Sequence, residues 1–220
     1  QSVIVIGSGI TGVSCAEELR RSGAKVTLID RVEAGDPAQT SFGNAGILAR
    51  EGIMPIANPS MLKMIPKILL SPSSPIYLKW SYLAKFSPWA VKFIMNGTKP
   101  KALPIILALN ELLYDTVENH IQLSKNTDAA RFIEKGDMTL LYRNRKQFSS
   151  DKFANQARND LGITWEELSR DKLLDRDPHI SKLYQFGLAY KNHGWITNPA
   201  AYVSSLAKHF QKNGGKILIG

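Results

Sequence analysis

A single cysteine, Cys15, in 220 residues rules out an internal disulfide and any multi-cysteine metal site. A reducing, cytoplasmic setting fits that scarcity best. The four histidines (His120, His179, His193 and His209) include no pair at metal-ligand spacing, so no metal is expected. Long apolar runs are absent too. Nothing approaches the length needed to span a bilayer. The apolar residues 3–6 break at once into glycines, so no leader peptide is expected. Acids are few: 19 against 28 Lys and Arg, a formal net charge of +9. The basic residues are scattered, without a run of five or six, and no nucleic-acid-binding motif accompanies them. No nucleic-acid partner is expected, which leaves an anionic membrane or an anionic cofactor as the counterpart of the charge.

What is present is the composition of a folded chain, 44% hydrophobic and 21% charged. A chain of this length buries about 70% of its unfolded surface, enough for one large domain or two small ones. Residues 3–6 read as a buried parallel strand and 10–22 as a helix with Val13, Ala16 and Leu19 inward. Glu17, Glu18, Arg20 and Arg21 take the other side of that helix, and Gly23 stops it. Residues 25–29 form the second strand, with Asp30 at its end. Residues 31–60 read as loop, and 61–95 as short amphipathic helices broken at Pro66, Pro72, Pro75 and Pro88. The spacing of Ile106, Leu109, Leu113, Val117 and Ile121 predicts one long helix over 104–126, entered at Pro104. Strands follow at 138–142, 163–168 and 186–190, with a polar helix over 146–160 between the first two. A helix over 199–212, stopped at Gly214-Gly215, leads into a strand over 216–219. The chain stops inside this apparent core strand, whereas domain boundaries normally fall in exposed linkers, so a fragment is expected.

The chemistry begins at Gly7-Ser8-Gly9-Ile10-Thr11-Gly12, a GxGxxG run with a strand before it and a helix after. An acid, Asp30, closes the second strand 18 residues beyond Gly12. Gly7 permits the tight turn, Gly9 lets backbone approach a pyrophosphate, and Gly12 lets helix and strand pack closely. The helix N-terminus offers unpaired N–H groups to phosphate, and Asp30 suits ribose hydroxyls. The run Thr40-Ser41-Phe42-Gly43-Asn44-Ala45-Gly46 is small and polar enough to lie against a flat ring or a phosphate. Composition alone also allows a plain surface loop there.

The stretch VIVIGSGITGVSCAEELRRSGAKVTLID, followed by QTSFGNAG, resembles the D-amino-acid dehydrogenase branch of the FAD-dependent D-amino-acid-oxidase superfamily. Thr40, Ser41, Asn44, Ala45 and Gly46 match a loop that lies along the flavin in that branch, and Gly43 stands where many members carry alanine. PKILLSPSSPIYLKW, FSPWAVKFI and GWITNP extend the likeness along nearly the whole chain. The resemblance implies a bacterial α/β protein: a Rossmann-like FAD-binding domain (1–60 and 192–220) with an inserted α+β substrate domain (61–191), the C-terminal half missing. It implies FAD held by Gly7, Ser8, Gly9, Ile10, Thr11, Gly12, Asp30 and Arg31 together with the 40–46 loop. The implied reaction is oxidative deamination of a D-amino acid to a 2-oxo acid and ammonia, by hydride transfer to flavin N5, with electrons passed to an acceptor such as quinone. The substrate-carboxylate arginine and a late glycine-rich loop fall in the missing part, so no catalytic residue is assigned and this length alone is expected to be inactive. Association with that missing part is expected, because a sheet lacking strands exposes apolar surface and open edges.

Three alternatives stand beside this reading: a glycine- or sarcosine-type oxidase, a non-catalytic nucleotide-binding fragment, and an NAD(P)-dependent dehydrogenase, for which Asp30 is suitable and Arg31 ambiguous. Cys15 is expected at a packing position in the first helix, and His193 as an ordinary loop histidine. Lys63, Lys67, Lys79, Lys85 and Lys92, interleaved with Tyr77, Trp80, Tyr82, Phe86, Trp89 and Phe93, fit either a peripheral contact with the inner face of a membrane or ordinary helices covering the substrate domain.

Overall fold

A computed structural model describes residues 1–70 and 79–220, with the backbone alone for Lys67 and Leu70. In chain order the elements open with β1 (Ser2–Ile6), α1 (Ile10–Arg21), β2 (Lys25–Asp30) and the short β3 (Ile47–Leu48). Helices α2 (Pro59–Leu70), α3 (Leu83–Asn96), α4 (Lys99–Leu113) and α5 (Thr116–Ser124) follow, with a 3-10 turn at Trp80–Tyr82. The rest comprises β4 (Ile133–Tyr142), α6 (Arg145–Ser149), α7 (Lys152–Asp160), β5 (Trp165–Ser169), α8 (Arg170–Arg176), β6 (Phe186–Ile196), α9 (Pro199–Lys212) and β7 (Lys216–Ile219). These form two compact units, residues 1–49, 115–137 and 192–220 in the first, and 50–114 and 138–191 in the second.

The first unit is built on a parallel sheet of order β1-β2-β7. Helix α1 ends because Gly23, at φ +87°, turns the chain left-handed. Gly23 N–H then donates to Arg20 O and Ala24 N–H to Leu19 O, the paired bonds of a Schellman cap. Helix α9 starts on Asn198, whose side chain accepts the Ala201 N–H at 3.0 Å, with Pro199 in the first turn. Val13, Ala16, Val26, Leu28, Leu206 and Phe210 are buried together between these helices and one sheet face. On the other face Ile4 and Ile6 are 66% and 84% exposed, and Leu218 is exposed as well.

Glu17 lies inside this core instead of on the polar side of α1. Desolvation raises its pKa, but hydrogen bonds and charge from Arg20 and Arg21 outweigh that and hold it below the ordinary carboxylate range. Two guanidiniums on the next turn make burial of the carboxylate tolerable, which a simple charged-side assignment misses.

The second unit packs Ile53, Ile106, Phe148, Ile163, Phe186, Leu188 and Tyr190 into a core of its own. Here β5 pairs antiparallel with residues 186–190 of β6. Asn144, Asp151 and Ser169 cap α6, α7 and α8 through their side chains.

Several expected boundaries move. The single helix over 104–126 is two helices, α4 beginning at Lys99 and α5 beginning after Asp115, and its apolar stripe is shared between two cores. Ile106, Leu109 and Leu113 serve the second core, whereas Val117 and Ile121 serve the first. Residues 115–137, grouped by sequence with the inserted domain, cluster instead with the first unit. Pro66 and Pro88 sit inside α2 and α3 without ending them. At Pro88 the carbonyl of Ala84, which loses its helical donor, accepts the Ser87 hydroxyl at 3.0 Å. Pro72, Pro75 and Tyr77 lie outside the described residues.

Candidate functional site

The turn after β1 is fixed by a carboxylate. Gly7 takes φ +102°, and its N–H donates to Ile29 O at 2.8 Å, extending the β1–β2 pairing by one residue. That step turns Ser8, which is fully buried, toward Asp30. The Ser8 N–H donates to Asp30 Oδ2 at 2.6 Å and its hydroxyl to the same oxygen at 2.8 Å. Arg31 N–H donates to Asp30 Oδ1 at 2.6 Å. These donors, the Ser8 N–H first among them, hold the Asp30 carboxyl down at about 2, so it is ionised at neutral pH. Gln39 completes the knot: its amide donates to Ser8 Oγ at 2.7 Å and Asp30 Oδ2 at 3.1 Å, while its Oε1 accepts the Gly35 N–H at 2.9 Å. The sequence reading missed Gln39, which carries no motif and is marked only by being a long amide next to Thr40.

Above this knot stands the N-terminus of α1. Gly9 precedes it in extended conformation and supplies no side-chain cap, and no acid occupies the first turn. The Ile10 N–H donates to Ser41 Oγ at 3.0 Å. A Cβ on Gly12 would lie 1.7 Å from Gly7 O, and one on Gly9 would lie 3.2 Å from Ser41 Oγ. Bare backbone is therefore required at Gly12, where helix and turn touch. A cleft of about 500 Å³ opens beside these atoms, with Gly9, Thr11, Gly12, Thr40, Ser41 and Asn44 in its lining. A helix end with a partial positive charge, no acid in its first turn and glycine at Gly9 and Gly12 suits a pyrophosphate. The chain is suited there to a dinucleotide such as FAD.

The 40–46 segment is tied down at both ends. Ser41 is buried against α1, and Asn44 Oδ1 accepts the Gly46 N–H at 2.7 Å. Gly46 has φ +69°, its carbonyl accepts the Ile196 N–H at 2.8 Å, and a Cβ there would come 2.4 Å from Ile196 O. A smaller cavity of about 180 Å³ lies beneath, lined by Ile10, Ser41, Asn44, Gly46, His120 and Tyr202 among others. His120 Nδ1 lies 2.9 Å from the Tyr202 hydroxyl, and burial pushes the His120 pKa down and that of Tyr202 up.

Of the candidate site residues, Gly7, Gly9, Ile10, Thr11, Gly12, Thr40, Ser41 and Asn44 are gathered on the cleft, with Ser8 and Asp30 bonded to one another through the turn below. Arg31 is exposed and enters only through its backbone N–H, and Ala45 is exposed outside the cleft lining. Cys15 is exposed, not packed, because α1 buries Val13, Ala16 and Glu17 and turns position 15 toward the cleft. His193 is buried within β6, since that strand continues to Ile196 instead of ending at 190. Among the described residues no group of His, Cys, Asp or Glu could hold a metal ion.

Over residues 2–220 the chain matches the family described as FAD dependent oxidoreductase (DAO). A D-amino-acid oxidase of Bradyrhizobium diazoefficiens is 34% identical over 217 residues, covering 98% of this chain and 51% of the relative. A D-amino acid dehydrogenase 2 of Ralstonia nicotianae is 28% identical over 182 residues, covering 81% and 42%. Among solved structures, glycine oxidase from Bacillus cereus superposes with a TM-score of 0.58 at 16% identity, over 99% of this chain and 46% of that one. An L-alpha-glycerophosphate oxidase from Mycoplasma pneumoniae with FAD bound gives 0.57 at 17% identity, over 100% and 45%. The chain thus spans about half the length of the curated relatives it matches.

Proposed function

The chain belongs to the FAD dependent oxidoreductase family, and from that premise we propose that it is the FAD-holding part of an enzyme that oxidatively deaminates D-amino acids to 2-oxo acids and ammonia. The observation that carries the substrate class is the 34% identity to a D-amino-acid oxidase along 98% of the chain. Bound FAD supplies the electron sink that accepts hydride from the substrate α-carbon. The first unit is the FAD-binding domain and the second the substrate domain. Within the first, the α1 N-terminus and the bare backbone from Gly7 to Gly12 receive the pyrophosphate. Asp30 would receive ribose hydroxyls through its carboxylate, whose Oδ1 accepts the Arg31 N–H and whose Oδ2 accepts three donors. Ser8 and Gln39 hold that carboxylate ionised and aimed, and Thr40, Ser41, Asn44, Ala45 and Gly46 would help to hold the flavin. The further length found in relatives covers the sheet face bearing Ile4 and Ile6 and supplies the groups that bind the substrate carboxylate. Electrons leave to an acceptor such as quinone.

The test is the visible spectrum of the purified full-length protein, followed by anaerobic addition of D-alanine or L-alanine. Flavin bands that bleach with the D-isomer and not the L-isomer are expected; bands that persist with every D-amino acid would refute the substrate class. The second reading, an oxidase, is favoured by the name of the Bradyrhizobium relative. Stoichiometric hydrogen peroxide in air decides for it, and turnover seen only with quinone or dye decides against it.

A further inference from the structure

Residues 52–110 contain seven lysines and no aspartate, glutamate, arginine or histidine. In a chain with 19 acids such a stretch is unusual, and its described lysines (Lys63, Lys79, Lys85, Lys92, Lys99 and Lys101) are all exposed. The apolar residues between them are not withdrawn from water. Helix α3 has no buried residue at all. Phe86, Ala90 and Phe93, spaced by four and three, are its half-buried side. Around the remainder of the helix Trp89, Val91 and Met95 are 56%, 55% and 62% exposed. Trp80 at 71% and Tyr82 at 54% extend the same character through the preceding 3-10 turn.

A helix apolar around most of its circumference is ordinarily buried, and exposed aromatics grouped this way mark a docking surface. We propose that the segment Trp80–Asn96, α3 with its leading turn, is an interfacial element that lies in the headgroup region of an anionic lipid bilayer. Three features favour lipid over a protein partner. The charge is of one sign, opposite to that of anionic headgroups, with no acid in the stretch to repel them. Tryptophan and tyrosine are the residues that settle at the membrane–water boundary. Lys85 and Lys92 carry long apolar stems that let an ammonium reach headgroups while the helix sinks past it. At 14 residues α3 is too short to cross, and no described helix is long and apolar enough to do so. The element therefore lies on the bilayer surface. The proposal rests on no assignment at the dinucleotide cleft.

The experiment is sedimentation of the flavin-loaded full-length protein with vesicles of phosphatidylcholine alone or with 30% phosphatidylglycerol (roughly the anionic content of an acidic bilayer), with flavin content read in the same samples. Expected is pelleting with the anionic vesicles that is largely lost in high salt. Lys85→Glu with Lys92→Glu should weaken partitioning about 25-fold or more, since each basic residue near such a surface contributes about a fivefold gain. Trp80→Ala with Trp89→Ala should weaken it at least tenfold, with flavin content unchanged in both double variants. Equal pelleting with both vesicle types, or double variants that pellet like the parent, would overturn the proposal. So would a parent that stays in the supernatant but changes mass on a sizing column when Trp80 and Trp89 are removed, which would assign the surface to a second copy or another part of the chain.

Discussion

Replacing Gly12 with alanine adds one methyl group where α1 meets the turn after β1. The new carbon would sit 1.7 Å from Gly7 O and 2.9 Å from Gly7 C. A carbon–oxygen contact needs about 3.3 Å, so helix and turn must separate by about 1.5 Å. Both partners are backbone, and no rotamer change relieves the clash. Overpacking of this kind costs about 1–3 kcal/mol, and the lack of a flexible neighbour places Gly12 at about 3. For a chain of this size that lowers the melting temperature by about 6–12 °C. The same displacement carries the Ile10 and Thr11 N–H groups away from the cleft, so flavin content should fall at least tenfold. Gly43→Ala is the matched control: nothing lies within 4 Å of its Cβ and its backbone is not left-handed. It should bind flavin and melt as the parent does. A Gly12→Ala protein that melts within about 2 °C of the parent (well short of the lowering worked above) and keeps its flavin would refute close packing as the reason for this glycine.

The remaining predictions concern charge and hydrogen bonding. Asp30 has its folded pKa lowered from 3.8 to about 2, so its ionised form favours the folded state; that contribution is complete above pH 4 and is lost as pH falls toward 2. Near 1.4 kcal/mol per pH unit this is at most about 2.5 kcal/mol, and solvent screening brings it to about 1–2. Asp30→Asn should therefore flatten the acid limb of a urea-stability profile between pH 4 and pH 2. Glu17→Gln leaves Arg20 and Arg21 without their buried counter-charge; both guanidiniums can turn toward water, so a loss of about 2–3 kcal/mol is expected by urea denaturation. Gln39→Ala removes two donors and one acceptor from the Ser8–Asp30 knot, and should cost about 1–2 kcal/mol and weaken FAD several-fold, measured by flavin fluorescence quenching.

The βαβ unit was legible because each of its signals is local. Apolar runs gave β1 and β2, Gly23 gave the stop, and the spacing from Gly12 to Asp30 gave the turn chemistry. α9 and β7 were legible to the residue for the same reason, with Pro199 and Gly214 standing at their ends. The legibility failed where two cores share one stretch of sequence. A continuous apolar stripe from Ile106 to Ile121 has helical period throughout, and nothing in that period says that Val117 belongs to a different core. Glu17 and Cys15 failed by burial: which side of α1 faces inward is decided by α9 and α5, and neither is visible from residues 10–22. The Gln39 bridge spans 31 residues to Ser8 and depends on the fold of a loop whose composition is merely polar.

The first unit is written in three pieces, 1–49, 115–137 and 192–220. Strands β1 and β2 are made well before β7 and the core residues Tyr202, Leu206 and Phe210. At 5–20 residues per second the interval is about 10–40 s. Throughout it, the apolar side of the nascent β1–α1–β2 unit has no α9 to pack on. Residues 50–114 and 138–191, by contrast, are all available once Lys191 has emerged. Synthesis order and closing order thus differ: the unit whose chain begins first lacks α9 and β7 until residues 50–114 and 138–191 have been made.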